Sequence, residues 1–140
     1  MFSVRKSIIG RGFSPESADV IIASWRPLTI KQYQYSWRKY VLWCDQRSTN
    51  PFRSTEKDVI DYLNILRNRT LSYSVIITTR SMLSQTLPFF GVDVSKFKLL
   101  DRMMKGCYNF NPPRARYSFT WDVNMVLYFY VLYIHWRIYL

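Results

Sequence analysis

The chain has 140 residues, 49% hydrophobic and 21% charged, which fits one small folded domain, or a domain with part of another, and excludes wholesale disorder. Twenty lysines and arginines against nine acids give a net charge of +11, spread as eight bases to three acids over residues 1–50, seven to four over 51–100 and five to two over 101–140. Such a charge is no detachable tail; it points to a long polyanion, nucleic acid first, the competing reading being a basic soluble protein without that partner.

The opening segment MFSVRKSIIGRGFS holds bases but no apolar run suited to a secretory signal, and residues 1–13 read as an N-terminal extension. Ser14-Pro15-Glu16 is a helix start, a capping hydroxyl followed by proline and an acid, for a short helix to about Trp25 that Pro27 stops. The next helix lies in WRPLTIKQYQYSWRKYVLWC, Trp25 to Cys44. Thr29 and Gln32 are placed as a capping box, with Leu28 able to staple onto Tyr33. Ile30, Tyr33, Trp37, Tyr40, Val41 and Cys44 recur at helical spacing as a buried stripe, leaving Lys31, Gln34, Tyr35, Arg38 and Lys39 largely off it.

STNPF is a loop, and Ser54 or Thr55 caps a helix whose apolar face is Val59, Tyr62, Leu63 and Leu66, with Glu56 and Asp58 at its dipole-favoured start. Ser72 caps a further helix with Ile76, Thr79, Leu83 and Leu87 on one face and Ser74, Thr78, Ser81 and Gln85 elsewhere. Its β-branched run weakens intrinsic helicity, so packing must hold it. Pro88 and Gly91 end it, and a helix from about Ser95 to Gly106 buries Phe97, Leu100, Met103 and Met104. YNFNPPRARYSF, with two prolines and no helical period, reads as a linker over 108–119. Thr120 then restarts a helix in 120–140 whose apolar run, Val123 to Leu140, is diluted by tyrosines, His135 and Asn124, which does not favour a membrane span.

Self-contained catalysis lacks its parts. His135 is the single histidine, set in an apolar tail, a poor setting for a general base. Four glycines form no phosphate-cradling loop. Asp58 and Asp61 are better explained by capping and solvation than by metal ligation. Cys44 and Cys107, the two cysteines, have no nearby histidines to make a zinc site and fit a reduced, intracellular chain as small core hydrophobes. No cofactor and no metal are expected. Basic side chains and short polar groups on exposed helices, by contrast, are what holds phosphates and reaches base edges.

WRPLTIKQYQYSWRKYVLWC, LSYSVIITTRSMLS, MMKGCYNFNPPRARY and TWDVNMVL, in that order, resemble the N-terminal part of tyrosine recombinases, most closely those of DIRS-type retrotransposons and their relatives, over about Ser14 to Leu127. The resemblance implies an all-α chain: a compact four- to five-helix SAM-like core-binding domain over 14–107 that clamps duplex DNA, then the linker, then the first helix of a truncated catalytic domain or a divergent tail over 120–140. Carried onto this chain, Tyr33, Trp37 and Leu83 are structural, while Lys31, Arg38, Ser74, Thr78, Arg80 and Ser84 face DNA, and Arg114 and Arg116 follow its backbone from the linker. The family's catalytic arginines, lysine, histidines and nucleophilic tyrosine lie beyond the linker. His135 and Arg137 do not reproduce its histidine-x-x-arginine spacing, so no catalytic residue is assigned and the chain is not expected to be an enzyme alone. The expected function is DNA binding in recombination or integration, in the nucleus, with a catalytic domain supplied in cis or in trans. The alternatives are a helical module docking another protein, an intact recombinase or a second copy through the C-terminal helix, or, less favoured, a tail-anchored membrane protein.

Overall fold

A computed structural model describes residues 2–70, 72–113 and 122–138. Among them are seven α-helices, three short 3-10 turns and no strand, so the fold is all-α. The helices are α1 (Phe2–Gly10), α2 (Pro15–Ile22), α3 (Pro27–Gln46), α4 (Glu56–Thr70), α5 (Tyr73–Thr86), α6 (Lys98–Phe110) and α7 (Val123–Ile138).

Residues 1–13 do more than extend the chain. Val4 and Ile8, one turn apart on α1, are buried against Ala18 of α2, with Ile22, Trp25, Phe89 and Phe90 packed around them. Ser7 Oγ and Arg11 Nη2 each donate to the Phe89 carbonyl, at 2.6 and 2.7 Å, fixing α1 to the Leu87–Phe90 turn. Ser14 caps α2 as its sequence foretells, accepting from the Ser17 amide at 3.1 Å.

α3 starts two residues before the expected Thr29. Pro27 takes the first position, where its missing N–H costs nothing and its fixed φ suits the helix. The Thr29–Gln32 pair therefore lies inside the helix and makes no cap, and Leu28 is 79% exposed, so no staple forms. On the inner face Trp37, Tyr40, Trp43 and Cys44 are buried, with Tyr33 and Val41 partly so. Thr55 rather than Ser54 caps α4, by a reciprocal box: the Thr55 amide donates to Asp58 Oδ2 at 2.9 Å and the Asp58 amide to Thr55 Oγ1 at 3.3 Å. Ser54 is instead buried, accepting from Tyr40 Oη at 2.6 Å and donating to the Pro51 carbonyl at 2.9 Å.

α5 is the central rod, packed on α3, α4 and α6, and its predicted stripe of Ile76, Thr79 and Leu83, with Leu87 just beyond, is buried. Gly91 closes the following turn at φ +86, a left-handed conformation in which a side chain would be strained. The helix expected from Ser95 begins later and ends later. Asp93 accepts from the Ser95 amide and hydroxyl, drawing Val94–Lys96 into a 3-10 turn, and nothing breaks α6 before Asn111 and Pro112. α6 is anchored at its start by Glu56 of α4, whose Oε1 accepts from the Leu99 and Leu100 amides at 2.7 and 3.2 Å. Both thiols, Cys44 and Cys107, are buried and unbonded to one another. Thr120 and residues 114–119 of the expected linker lie outside the described residues, while 108–110 of that linker belong to α6. α7 starts after Asp122, which accepts from the Asn124 amide, and every residue from Val123 to His135 is exposed. Among the described residues no helix is long and apolar enough to cross a membrane.

Candidate nucleic-acid interface

α3 separates two chemistries by its own period. At about 100° per residue, Lys31, Tyr35, Arg38 and Leu42 fall on one stripe, opposite Tyr33, Trp37, Tyr40 and Cys44. All four of the outer residues are exposed, Tyr35 at 61% and Leu42 at 58%. Lys39 lies beside them with its Nζ 4.3 Å from the centre of the Tyr35 ring. The inner residues hold the stripe in place: Tyr40 meets Tyr62 edge-on at 5.0 Å and stacks near Trp43 at 6.0 Å, while Trp37 stacks near Phe90 at 5.9 Å. Burial pushes the Tyr62 hydroxyl up to about 12 and raises that of Tyr40 too, so both stay neutral pegs of the core.

The side chains of Lys31 and Arg38 make no hydrogen bond or ion pair with any described residue. Seven positions separate them, two turns and about 10.5 Å along the axis. Arg38 borders a shallow recess with Val41, Leu42, Asp45, Thr49 and Pro51, and Asp45 is the carboxylate on this flank. Arg47 adds a further cation at the end of the helix, its guanidinium 4.9 Å from the Trp43 ring.

Seven of the nine acids are committed elsewhere. Asp19, Asp61, Asp93 and Asp101 pair with Arg5, Lys57, Lys96 and Arg80. Glu56, Asp58 and Asp122 accept from helix-start amides. Only Glu16 and Asp45 remain outside those two roles, and Glu16 sits in the first turn of α2. Among the described residues Lys31, Arg38 and Lys39 are thus exposed together on α3 with most acids engaged elsewhere.

α5 divides its expected contacts. Ser74 is exposed, with its Oγ 2.9 Å from Ser72 Oγ, and Thr78 is half-buried one turn further on. Arg80 and Ser84 are turned away from them, since residues two apart on a helix do not share a face. Arg80 Nη2 donates to Asp101 Oδ1 of α6 at 3.0 Å, and its Nε, like Ser84 Oγ, is shielded from solvent without a hydrogen-bond partner among the described residues. Lys31 and Arg38 share a stripe on α3, whereas Arg80 is tied to α6 through Asp101. Arg114 and Arg116 lie outside the described residues. Sequence reasoning passed over the cleft where α4 and α6 end and α5 begins, about 750 Å3, bordered by Arg67, Ser74 and Phe110. Its only sequence signal was the Arg67–Asn68 pair ahead of a helix start.

Among the described residues no cluster of histidine, cysteine and acid side chains is arranged to hold a metal ion. No protein-family model matches the chain, and no curated protein matches it.

Proposed function

We propose that the helical body binds double-stranded DNA, chiefly through phosphates, as a core-binding module of the tyrosine recombinase kind acting in the nucleus. It would take part in recombination or integration only with a catalytic domain supplied in cis or in trans. The observation that carries this reading is the stripe of unpaired bases on α3, held opposite a rigid aromatic face while most carboxylates are committed to caps and ion pairs. Cations set along a helix can meet successive phosphates, and Tyr35 and Leu42 give the stripe apolar contact with sugars or base edges. Arg80 contributes less on this reading, because Asp101 already holds it.

Fluorescence anisotropy with a labelled duplex, titrated with the full chain at several salt concentrations, tests the proposal. The expected result is micromolar binding whose logarithm falls linearly with the logarithm of salt. Absence of salt-sensitive binding below high micromolar protein defeats it.

A second reading is favoured by α7, whose apolar residues from Val123 to Ile134 are between 42% and 68% exposed. A helix apolar on all sides needs cover, and an intact recombinase or a second copy of this chain would supply it. Deleting residues 123–140 should then lower the mass seen by light scattering while leaving duplex affinity intact; an unchanged mass rejects this reading.

A further inference from the structure

We infer that the cleft at the ends of α4 and α6 and the start of α5 binds a small aromatic anion of the nucleotide class. Its volume, about 750 Å3, lies in the range of small-molecule sites. The floor is apolar, formed by buried Ile76 and Cys107. Tyr73 makes one wall and is itself braced edge-on by Tyr108 at 5.5 Å. Phe110 borders the mouth at 82% exposure, with the Arg67 guanidinium carbon 5.5 Å from its ring centre.

The polar groups select the charge. Arg67 Nε donates to Asn64 Oδ1 at 3.3 Å, which steadies the guanidinium and leaves its two terminal nitrogens without a partner among the described residues. Among the described residues no carboxylate lines the cleft. A planar guanidinium presents two parallel donors that match a phosphate or carboxylate. Asn68 and Ser74 add neutral groups that suit the edge of a polar ring. A wholly apolar ligand would leave the half-buried Arg67 unsatisfied, and inorganic phosphate alone would leave Phe110 and Tyr73 uncovered. A molecule with a ring for the aromatic walls and an anion for Arg67 satisfies both.

The site is distinct from the α3 stripe, with which it shares no residue, so the two proposals stand or fall separately. Isothermal titration of the full chain with adenosine monophosphate, phenyl phosphate, inorganic phosphate and adenosine tests the inference. Adenosine monophosphate should bind at millimolar or better affinity, phenyl phosphate should exceed inorganic phosphate, and adenosine should bind more weakly than its monophosphate. Arg67→Gln should weaken adenosine monophosphate about tenfold. Phe110→Ala, at an exposed position that the fold does not need, should weaken phenyl phosphate toward inorganic phosphate. Lys31→Gln with Arg38→Gln should change neither. Equal binding of phenyl and inorganic phosphate, indifference to Arg67→Gln, or loss in the Lys31 and Arg38 variant overturns the inference, as does no binding at several times millimolar ligand.

Discussion

Replacing Glu56 by alanine probes how α4 and α6 are joined. α6 opens at Lys98, and Phe97 before it offers no side-chain acceptor to the first-turn amides. Glu56 Oε1 supplies that acceptor from 43 and 44 residues away in sequence, at 2.7 Å to the Leu99 amide and 3.2 Å to that of Leu100. Loss of a capping group costs about 1 kcal/mol and as much as about 2. The Leu99 amide can turn to water once freed, whereas the partly buried Leu100 amide sits beside a side chain only 1% exposed, which places the expected loss at about 1.5 kcal/mol. With a urea slope of about 1.5 kcal/mol/M for a domain of this size, the midpoint should fall by about 1 M at constant slope. Glu56→Gln, which keeps a carbonyl acceptor but not the charge, should lose about half as much. Glu16→Ala, at an exposed acid in the first turn of α2, should stay within about 0.5 kcal/mol. Urea unfolding followed by far-ultraviolet circular dichroism reads all three. An unchanged midpoint for Glu56→Ala, or a loss no larger than that of Glu16→Ala, refutes the reasoning.

Lys31→Gln with Arg38→Gln should reduce the slope of log affinity against log salt for duplex DNA by about 1.8, whereas Arg80→Gln, already engaged by Asp101, should leave it within error in the same anisotropy titration. Tyr40→Phe removes the donor to Ser54 but leaves Ser54 its Pro51 acceptor, so thermal unfolding should register a loss of about 1 kcal/mol with duplex affinity unaltered. The hydrogen bond from Arg5 holds the Asp19 carboxyl below its ordinary value of 3.8, so the stability it adds is present above that value and is lost as pH falls through the lower folded one. Carboxyl chemical shifts across an acid titration should therefore show Asp19 moving up toward 3.8 in Arg5→Gln; an unmoved Asp19 dismisses the pair as the cause.

Helices with a regular apolar period were legible. The stripe on α5 and the faces of α4 and α6 follow from spacing alone, as does the Ser14 cap on α2. Boundaries failed where two local signals competed. Thr29 and Gln32 imitate a capping box, yet Pro27 outranks them because its φ is already helical. Ser95 resembles a helix start, but Asp93 captures it first. α1 was passed over because its bases and flanking glycines obscure Val4 and Ile8, a pair at one-turn spacing that could have revealed it. On the candidate interface, Lys31 and Arg38 were readable because one helix fixes their relation. Arg80 was not, because its environment depends on Asp101, 21 positions away on another helix. No local pattern encodes such a meeting.

The employment of carboxylates as internal fasteners ties durability to charge in opposing directions. Neutralising Glu56, Asp58 or Asp101 would at once loosen a helix end or an inter-helix tie and make the exterior more cationic. Variation at these sites therefore trades folding free energy for attraction to polyanions. A bound polyanion would return part of the deficit by mass action, so a weakened variant would look sound in its company and fail alone.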